Sequence, residues 1–202
     1  MGKIIAITQL SVDGVMQAPG GPDEDTASGF KHGGWFMHYG DDLLHKALDE
    51  TISGEFEMLL GRRTYDIFAS YWPHHDENPI GKAFNKAKKY IATRTLEKLD
   101  WNNAYIISEV VEEVGKLRAS DGPDIHIWGS SNLLQTLISA GLVDEHRLWI
   151  APVVLGGGKR LFENGVPAGG LTLVDTQVTS TGMIMNTYRP SGKLPGSAPE
   201  AR

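Results

Sequence analysis

The sequence contains no cysteine among its 202 residues. This absence excludes disulfide bonds, thiolate nucleophiles, iron–sulfur clusters and the cysteine type of zinc site. The chain also has no excess of basic residues, since 19 lysines and arginines stand against 25 aspartates and glutamates and the formal net charge is -6. No overall attraction to nucleic acid or to an anionic membrane is therefore expected. Any anion must be bound by a local group of cations.

Long apolar segments are absent as well, since no run approaches the roughly 20 residues that a membrane-spanning helix needs. The opening segment MGKIIAITQL becomes polar too early for a secretory signal. It also lacks the hydroxyl residue that a myristoylation signal requires. The sequence therefore predicts a soluble cytoplasmic protein that binds a small molecule and has neither a membrane nor a nucleic-acid partner.

Familiar nucleotide and metal motifs are missing too. No G-x-G-x-x-G follows an apolar run, so an ordinary Rossmann dinucleotide site is not expected. The segment WPHHDENP places two histidines next to two acidic residues. Adjacent side chains rarely point at one metal ion, so a solvated loop is favoured and no metal site is predicted.

Short apolar runs alternate with amphipathic stretches, which predicts an α/β domain built on one sheet. Helices are expected where apolar residues recur on one face, over 41–52, 110–119 and 131–141, and another is expected to begin near Arg62. The pattern after Gly141 changes to period two and predicts antiparallel strands, including a C-terminal hairpin. Buried strands are predicted at 3–8, 57–61, 89–94, 104–107 and 125–129.

The chain is predicted to form one domain over residues 1–190. The tail 191–202 is rich in proline, glycine and serine and is predicted to be disordered. Residues 13–35 form an unusually long segment without a helix or strand pattern, and its many glycines favour mobility. Loops of this length are often lids or binding loops.

One segment suited to anions lies where a buried strand gives way to a helix, at Gly61, Arg62, Arg63 and Thr64. The helix dipole disfavours arginine at a helix N-terminus, so two arginines there indicate a compensating anion such as a phosphate. The alternative is a surface turn with solvated arginines.

A second such segment is the turn after IHIW, where Gly129, Ser130, Ser131 and Asn132 open an amphipathic helix. Its backbone amides could bind a diphosphate, although simple N-capping by serine is a common alternative. A third strand end carries hydroxyl and cationic groups, and ligands of open α/β sheets bind where strands end. Its residues are Thr93, Arg94 and Thr95.

Taken in order, LLGRRTYDIF, YIATRT and IHIWGSSNLLQTLISAGLVDEHRLWIAPVVLGGGKRLF resemble the dihydrofolate reductase-like superfamily. The chain is most similar to the reductase domain of the riboflavin-biosynthesis deaminase/reductase, the RibD C-terminal domain, and to its stand-alone bacterial relatives. The opening ITQLSVDGVMQAPGG resembles the first strand and S-x-D-G loop of that domain. The resemblance implies a three-layer fold with a mostly parallel sheet of about eight strands, an antiparallel C-terminal hairpin and helices on both faces.

The resemblance also implies that NADPH is the cofactor. It assigns residues 61–64 to the cofactor phosphates, 93–95 to the adenosine phosphate, and 129–132 to the pyrophosphate and nicotinamide. The family often has two glycines where this chain has Gly129 and Ser130. A serine is expected to fit there only if its φ stays negative.

Asp13 and Trp35 are candidates for the reacting end of the site. Asp13 in SVDG matches an acidic residue near the nicotinamide of riboflavin-type reductases and is the catalytic candidate, with a turn aspartate as the alternative. Trp35 either forms part of the lining of the substrate pocket or anchors the long loop in the core.

Asp42 and Arg160 are the other substrate candidates. Asp42, or its neighbour Asp41, could supply the helix carboxylate that folate reduction requires, although its spacing from GRRT is longer than in folate enzymes. Arg160, with Lys159, could bind a substrate phosphate or lie in a solvated turn.

Three functions follow from the resemblance. The first is NADPH-dependent hydride transfer to a small heterocycle, similar to 5-amino-6-(5-phosphoribosylamino)uracil reductase of riboflavin biosynthesis. The second is dihydrofolate reduction, and the third is a non-catalytic NADP(H)-binding sensor. The resemblance also implies a homodimer, for which the C-terminal strands are the candidate interface.

Overall fold

The structure is a computed structural model that describes residues 2–163, 166–192 and 194. Among these described residues, eight strands form one sheet in the order β4-β3-β2-β5-β1-β6-β8-β7. The strands are β1 (Ile4–Ser11), β2 (Phe56–Gly61), β3 (Lys89–Ala92), β4 (Ala104–Ile107), β5 (Asp124–Trp128), β6 (Glu145–Ala151), β7 (Gly170–Val178) and β8 (Ile184–Gly192). The first six strands are parallel, and β7 and β8 form an antiparallel hairpin on β6. The predicted sheet is confirmed.

In the part of the chain that the structure describes, five α-helices connect or flank these strands. They are α1 (Asp42–Ile52), α2 (Arg62–Tyr71), α3 (Pro79–Lys86), α4 (Val110–Ala119) and α5 (Ser131–Ser139). The sequence analysis did not predict α3. Its start signals are local, because Pro79 occupies the first turn and the Asn78 side chain accepts a hydrogen bond from the Ile80 amide.

The central parallel strands β1 and β2 are largely apolar on both faces because helices cover both sides of the sheet. Alternate residues such as Ile5 and Met58 pack in the core with α1, α2 and α3. Their neighbours Ile4 and Leu59 pack in a second core with α4 and α5. This alternation confirms the three-layer fold, since each central strand contributes to two separate cores.

The C-terminal hairpin is an exposed part of the sheet. Nearly every residue of β7 is exposed, and within the described chain β7 pairs with β8 alone. The last strand runs through Gly192, two residues beyond the predicted end of the domain. Residues 193 and 195–202 of the predicted tail lie outside the described part of the chain. None of the described helices is long and apolar enough to span a membrane.

The segment 13–35 is fixed by hydrogen bonds, unlike the mobile loop expected from its glycines. The Gln17 amide group donates to the backbone oxygens of Asp25 and Ala27, both at 3.0 Å. The Trp35 indole donates to the backbone oxygen of Gln17 at 2.8 Å. Gln17 therefore connects both halves of this segment.

Candidate cofactor and substrate site

A cavity of about 1720 Å³ lies at the carboxyl ends of the parallel strands. Pockets for one drug-sized ligand usually have roughly 300–1,000 Å³, so this cavity has room for a dinucleotide and a second small molecule. The ends of β2, β3 and β5 contribute to its lining, together with residues 16–25 and helices α1, α2 and α3. Ligands of open α/β sheets bind at this edge.

The structure brings together the three segments that the sequence analysis assigned to the cofactor. They lie on neighbouring strands, because β3, β2 and β5 are adjacent in the sheet. Every predicted cofactor residue lines the cavity: Gly61, Arg62, Arg63, Thr64, Thr93, Arg94, Thr95, Gly129, Ser130, Ser131 and Asn132.

Ser130 links the N-termini of α2 and α5. Its hydroxyl accepts a hydrogen bond from the Gly61 amide at 2.9 Å and donates to the Trp128 oxygen at 3.0 Å. Its own amide donates to the Thr64 hydroxyl at 3.1 Å. The serine therefore does not cap its own helix, and the simple N-cap interpretation is wrong.

The backbone of this turn is left-handed at two successive residues. Gly129 has φ 56°, and Ser130 has φ 61° and ψ 48°. The expectation of a negative φ at Ser130 is therefore wrong. A left-handed non-glycine residue costs roughly 1–3 kcal/mol, and the hydrogen bonds to Gly61 and Thr64 offset that strain. Strain of this kind concentrates at functional sites.

Both α2 and α5 point their N-termini at the cavity. Within the described residues no side chain caps either helix, and neither has an acidic residue in its first turn. The first amides of a helix lack intrahelical partners and carry partial positive charge. Two such termini side by side suit the paired phosphates of a dinucleotide.

The two arginines of the first segment have different contacts. Arg62 donates from Nε to both carboxylate oxygens of Asp66, at 3.0 and 2.8 Å, and from a terminal nitrogen to the Thr95 hydroxyl at 3.0 Å. Arg63 lies 2.7 Å from a carboxylate oxygen of Asp25. Arg62 thus connects α2 to the end of β3, while Arg63 connects it to the segment 16–25.

Asp25 is a buried carboxylate that the sequence analysis missed. Its second oxygen lies 2.5 Å from the Lys159 ammonium group, so one aspartate binds two cations. Burial alone would raise the pKa of Asp25, but hydrogen bonds from Lys159, the Ala27 amide and Arg63 bring it below its usual value. Asp25 stays ionised and fastens the segment 16–25 to α2. Nothing in the local pattern DEDT distinguishes it from its acidic neighbours.

Glu24 differs from Asp25 although both line the cavity. Its carboxylate accepts hydrogen bonds from the amides of Gly20 at 2.6 Å and Gly21 at 3.1 Å. Burial raises the pKa of Glu24 above its usual value, against those two hydrogen bonds, which lower it. A carboxyl group that is protonated closer to neutral pH can donate a proton.

Asp13 has an environment that does not suit the predicted catalytic role. The Ser11 hydroxyl donates to its carboxylate at 2.6 Å, and the amides of Leu155 and Gly156 donate at 3.1 and 2.9 Å. The Ser11 bond, aided by these amides, lowers the pKa of Asp13 to about 2. Within the described chain Asp13 is not among the cavity-lining residues. The structure therefore corrects Asp13 to a residue that holds the loop after β6.

Arg160 accompanies Asp13 and is likewise not part of the described cavity lining. Its guanidinium group donates to the Asp13 backbone oxygen, and to the Gly156 oxygen at 3.3 Å. The predicted contact with a substrate phosphate is therefore replaced by contacts within the loop. Its neighbour Lys159 lines the cavity instead.

Trp35 and Asp42 do not line the described cavity either. Trp35 is buried in the core, which supports the anchoring interpretation over a pocket wall. Asp42 is exposed on the first turn of α1. The α1 side chains that do line the cavity are Leu44, His45 and Leu48. Helix α1 therefore gives the cavity no carboxylate of the kind that folate reduction requires.

Solved structures with this architecture define the class of fold. A protein from Shewanella sp. PV-4, provisionally assigned to riboflavin biosynthesis, has a TM-score of 0.68 at 17% identity over 95% of this chain and 99% of that chain. A pyrimidine reductase-like protein from Corynebacterium diphtheriae has a TM-score of 0.63 at 15% identity, over 94% of this chain and 92% of that chain. Dihydrofolate reductase from Enterococcus faecalis, in complex with NADP(H), has a TM-score of 0.59 at 15% identity, over 94% of this chain and 97% of that chain. The fold is dihydrofolate reductase-like.

The chain belongs to the RibD C-terminal domain family, whose model matches residues 2–185. It is also 37% identical over 139 residues to the uncharacterised protein YyaP of Bacillus subtilis (strain 168), covering 67% of this chain and 74% of that protein. Family and fold together support an NADP-dependent reductase class for this chain.

Proposed function

We propose that the protein is an NADPH-dependent reductase that transfers a hydride to a small heterocyclic substrate. The observation that carries this proposal is the pair of helix N-termini joined by Ser130, which face one cavity and have no side-chain cap within the described chain. Membership of the RibD C-terminal domain family and the NADP(H) bound by the Enterococcus relative support the choice of cofactor.

The order of strands gives a direction to the bound cofactor. The amides that open α2 and α5 would hold the phosphates, and the Arg94 and Thr95 side chains at the end of β3 would meet the adenosine end. The nicotinamide would then lie toward β1, under the segment 16–25, because β1 follows β5 on the other side. Bound NADPH would supply the hydride.

The protein would orient the reactants, exclude water and supply a proton. Asp25 holds the segment 16–25 against α2, where it lines the cavity. Once substrate and cofactor displace water from this cavity, electrostatic interactions with the substrate would become stronger. Since Asp13 lies elsewhere, Glu24 is the carboxyl group that we propose as proton donor, or as the group that positions a water.

Reduction similar to that of 5-amino-6-(5-phosphoribosylamino)uracil is one candidate for the heterocyclic chemistry, supported by the pyrimidine reductase-like neighbour. Dihydrofolate reduction ranks lower because the α1 residues at the cavity are Leu44, His45 and Leu48. The sensor alternative retains the same cofactor site and differs only in turnover.

Calorimetric titration with NADPH and NADH, followed by NADPH oxidation with pyrimidine, pterin and carbonyl substrates, tests the proposal. We expect binding of NADPH and turnover of at least one substrate. Tight binding without turnover of any substrate would favour the sensor, and absence of NADPH binding would overturn the cofactor assignment.

We also propose that the protein is a homodimer in which a second copy covers β7. This edge strand exposes Leu171, Leu173 and Val174, and an uncovered apolar edge promotes pairing with another chain. Light scattering should give the dimer mass for the natural chain and a lower average mass for Leu173→Lys. A monomer at micromolar concentration would contradict the proposal.

A further inference from the structure

Part of the cavity has a wall of aromatic and aliphatic side chains from α1, α2, α3 and the adjoining strands β5 and β6. From this wall we infer that the substrate is an uncharged, flat ring compound with a reducible carbonyl group, rather than a phosphorylated one. This inference rests on the proposed reductase function and, within it, excludes the phosphorylated substrate of the riboflavin-type reaction.

The aromatic part of the wall is continuous from α2 to the sheet. Phe68 stacks on Phe84 with ring centroids 5.7 Å apart, and Phe84 contacts Trp128 at 5.4 Å. Trp128 in turn meets Trp149 at 6.4 Å. All four residues line the cavity, but Phe84, Trp128 and Trp149 are buried and support the half-buried Phe68 from behind. A supported aromatic side chain of this kind favours stacking and edge contacts with a flat ring.

Aliphatic residues extend this wall, because Leu44 and Leu48 of α1 and Ile67 of α2 also line the cavity. Among the described lining residues of α1, α2 beyond its first turn, and α3, the side chains that can ionise are His45 and Tyr71. A fixed anion on the substrate would therefore meet no lysine or arginine on this wall.

The lysines and arginines that line the described cavity lie away from this wall. Arg62 binds Asp66 and Thr95, while Arg63 and Lys159 share the carboxylate of Asp25. Arg94 lies at the end of β3, where the proposal places the adenosine end of the cofactor. Moving an anion from water onto the apolar wall would cost its hydration without an opposite charge to replace it. An uncharged ring avoids that cost and gains from the burial of its apolar surface.

The reaction balances with the proposed cofactor as the reductant. The carbonyl carbon gains the hydride of NADPH, the π electron pair of the carbonyl group moves to oxygen, and oxygen takes one proton. The products are a secondary alcohol and NADP⁺. The proton comes from Glu24 or from water.

Two probes that share the same reacting ketone test the inference. Isatin is a flat, uncharged heterocycle, and isatin-5-sulfonate carries a permanent anion on the same ring. We expect kcat/KM for isatin to exceed that for the sulfonate by about tenfold or more, because the wall offers no counter-charge. Equal values, or a preference for the sulfonate, would overturn the inference.

Two lysine substitutions separate the wall from general charge effects. Ile67→Lys adds a cation to the wall and should lower the ratio of kcat/KM for isatin to kcat/KM for isatin-5-sulfonate. Ala119→Lys adds the same charge at an exposed position in the last turn of α4, away from the described cavity lining, and should leave the ratio unchanged. An unchanged ratio in Ile67→Lys would contradict the role of this wall.

NADPH binding, measured by titration on the same preparations, distinguishes the two levels of the proposal. Binding without reduction of isatin would overturn the substrate class and leave the cofactor site standing. Absence of NADPH binding would overturn the proposed function itself.

Discussion

The Ser130 hydroxyl accepts a hydrogen bond from the Gly61 amide at 2.9 Å, across 69 positions of sequence. The bond joins the turn after β2 to the turn after β5, and the Ser130 amide returns a second bond to Thr64. The two helix N-termini are thereby fixed relative to each other before any ligand binds. Preorganisation of this kind reduces the cost of binding.

Substitutions at Ser130 should separate hydrogen bonding from backbone strain. Ser130→Ala loses the hydroxyl but keeps the left-handed strain, so we expect a loss of roughly 1–3 kcal/mol in the free energy of unfolding. Ser130→Gly loses the same bonds but relieves the strain, and should be the more stable of the two. Urea unfolding measures both, with the exposed Ser120→Ala as control. An alanine variant as stable as the glycine variant would contradict the strain argument.

Arg62 should discriminate between the two nicotinamide cofactors. We predict that Arg62→Ala weakens NADPH binding by about tenfold or more and NADH binding much less, because a charge-assisted hydrogen bond to phosphate is worth roughly 1.5–3 kcal/mol. Titration with both cofactors measures the difference. Lys46→Ala, an exposed change on α1, is the control. Equal losses for NADPH and NADH would mean that Arg62 only holds Asp66 and Thr95.

The fold was predictable from the sequence where burial is two-sided. The strands around Ile5 and Leu59 are apolar at successive positions because both faces of the sheet are covered, and such runs are recognisable without tertiary information. Helix α3 was missed because its eight residues include Gly81, a poor helix former. That glycine is there because a Cβ atom would come within 2.1 Å of the His75 oxygen.

The site was predictable at the strand ends and not in the loops. Gly61 and Ser130 follow apolar runs, so their place at the carboxyl edge follows from the parallel sheet. Asp13 and Asp25 lie in loops, where the direction of a side chain depends on contacts distant in sequence. Asp25 meets Lys159 across 134 positions, and no local pattern signals that pair.

Glu24 should control the pH dependence of turnover. Burial raises the pKa of Glu24, so its protonated form persists to higher pH than for an ordinary glutamate. Activity should fall as the pH rises through this raised pKa, because the proton donor is lost. We predict that Glu24→Gln lowers kcat by about a hundredfold, removes this fall and leaves NADPH affinity unchanged. The exposed Glu55→Gln is the control. A variant that keeps the natural pH profile would exclude Glu24 as the proton donor.

Two buried histidines should make the fold sensitive to acid. Burial lowers the pKa of His126 and of His146 from 6.5 to about 4, although Asp124 and Glu145 partly oppose this at His126 while Arg147 adds to it. The unfolded chain therefore binds protons between pH 6.5 and 4 that the folded chain does not, and stability falls as pH drops through that range. His126→Phe keeps an aromatic ring against Phe56, on which the histidine stacks at 4.6 Å.

Urea unfolding at pH 7 and at pH 4.5 measures how much free energy of unfolding is lost on acidification. We predict that this loss is smaller for His126→Phe than for the natural chain by roughly 2 kcal/mol. Carboxylates such as Asp13 titrate in both proteins, so the comparison between the two isolates the histidine. His45→Phe, which removes an exposed histidine from α1, should retain the full loss. In the prediction, the buried ring of His126 is a group that must accept a proton at low pH. If His126→Phe loses as much free energy of unfolding as the natural chain, His126 is not the source of the acid sensitivity.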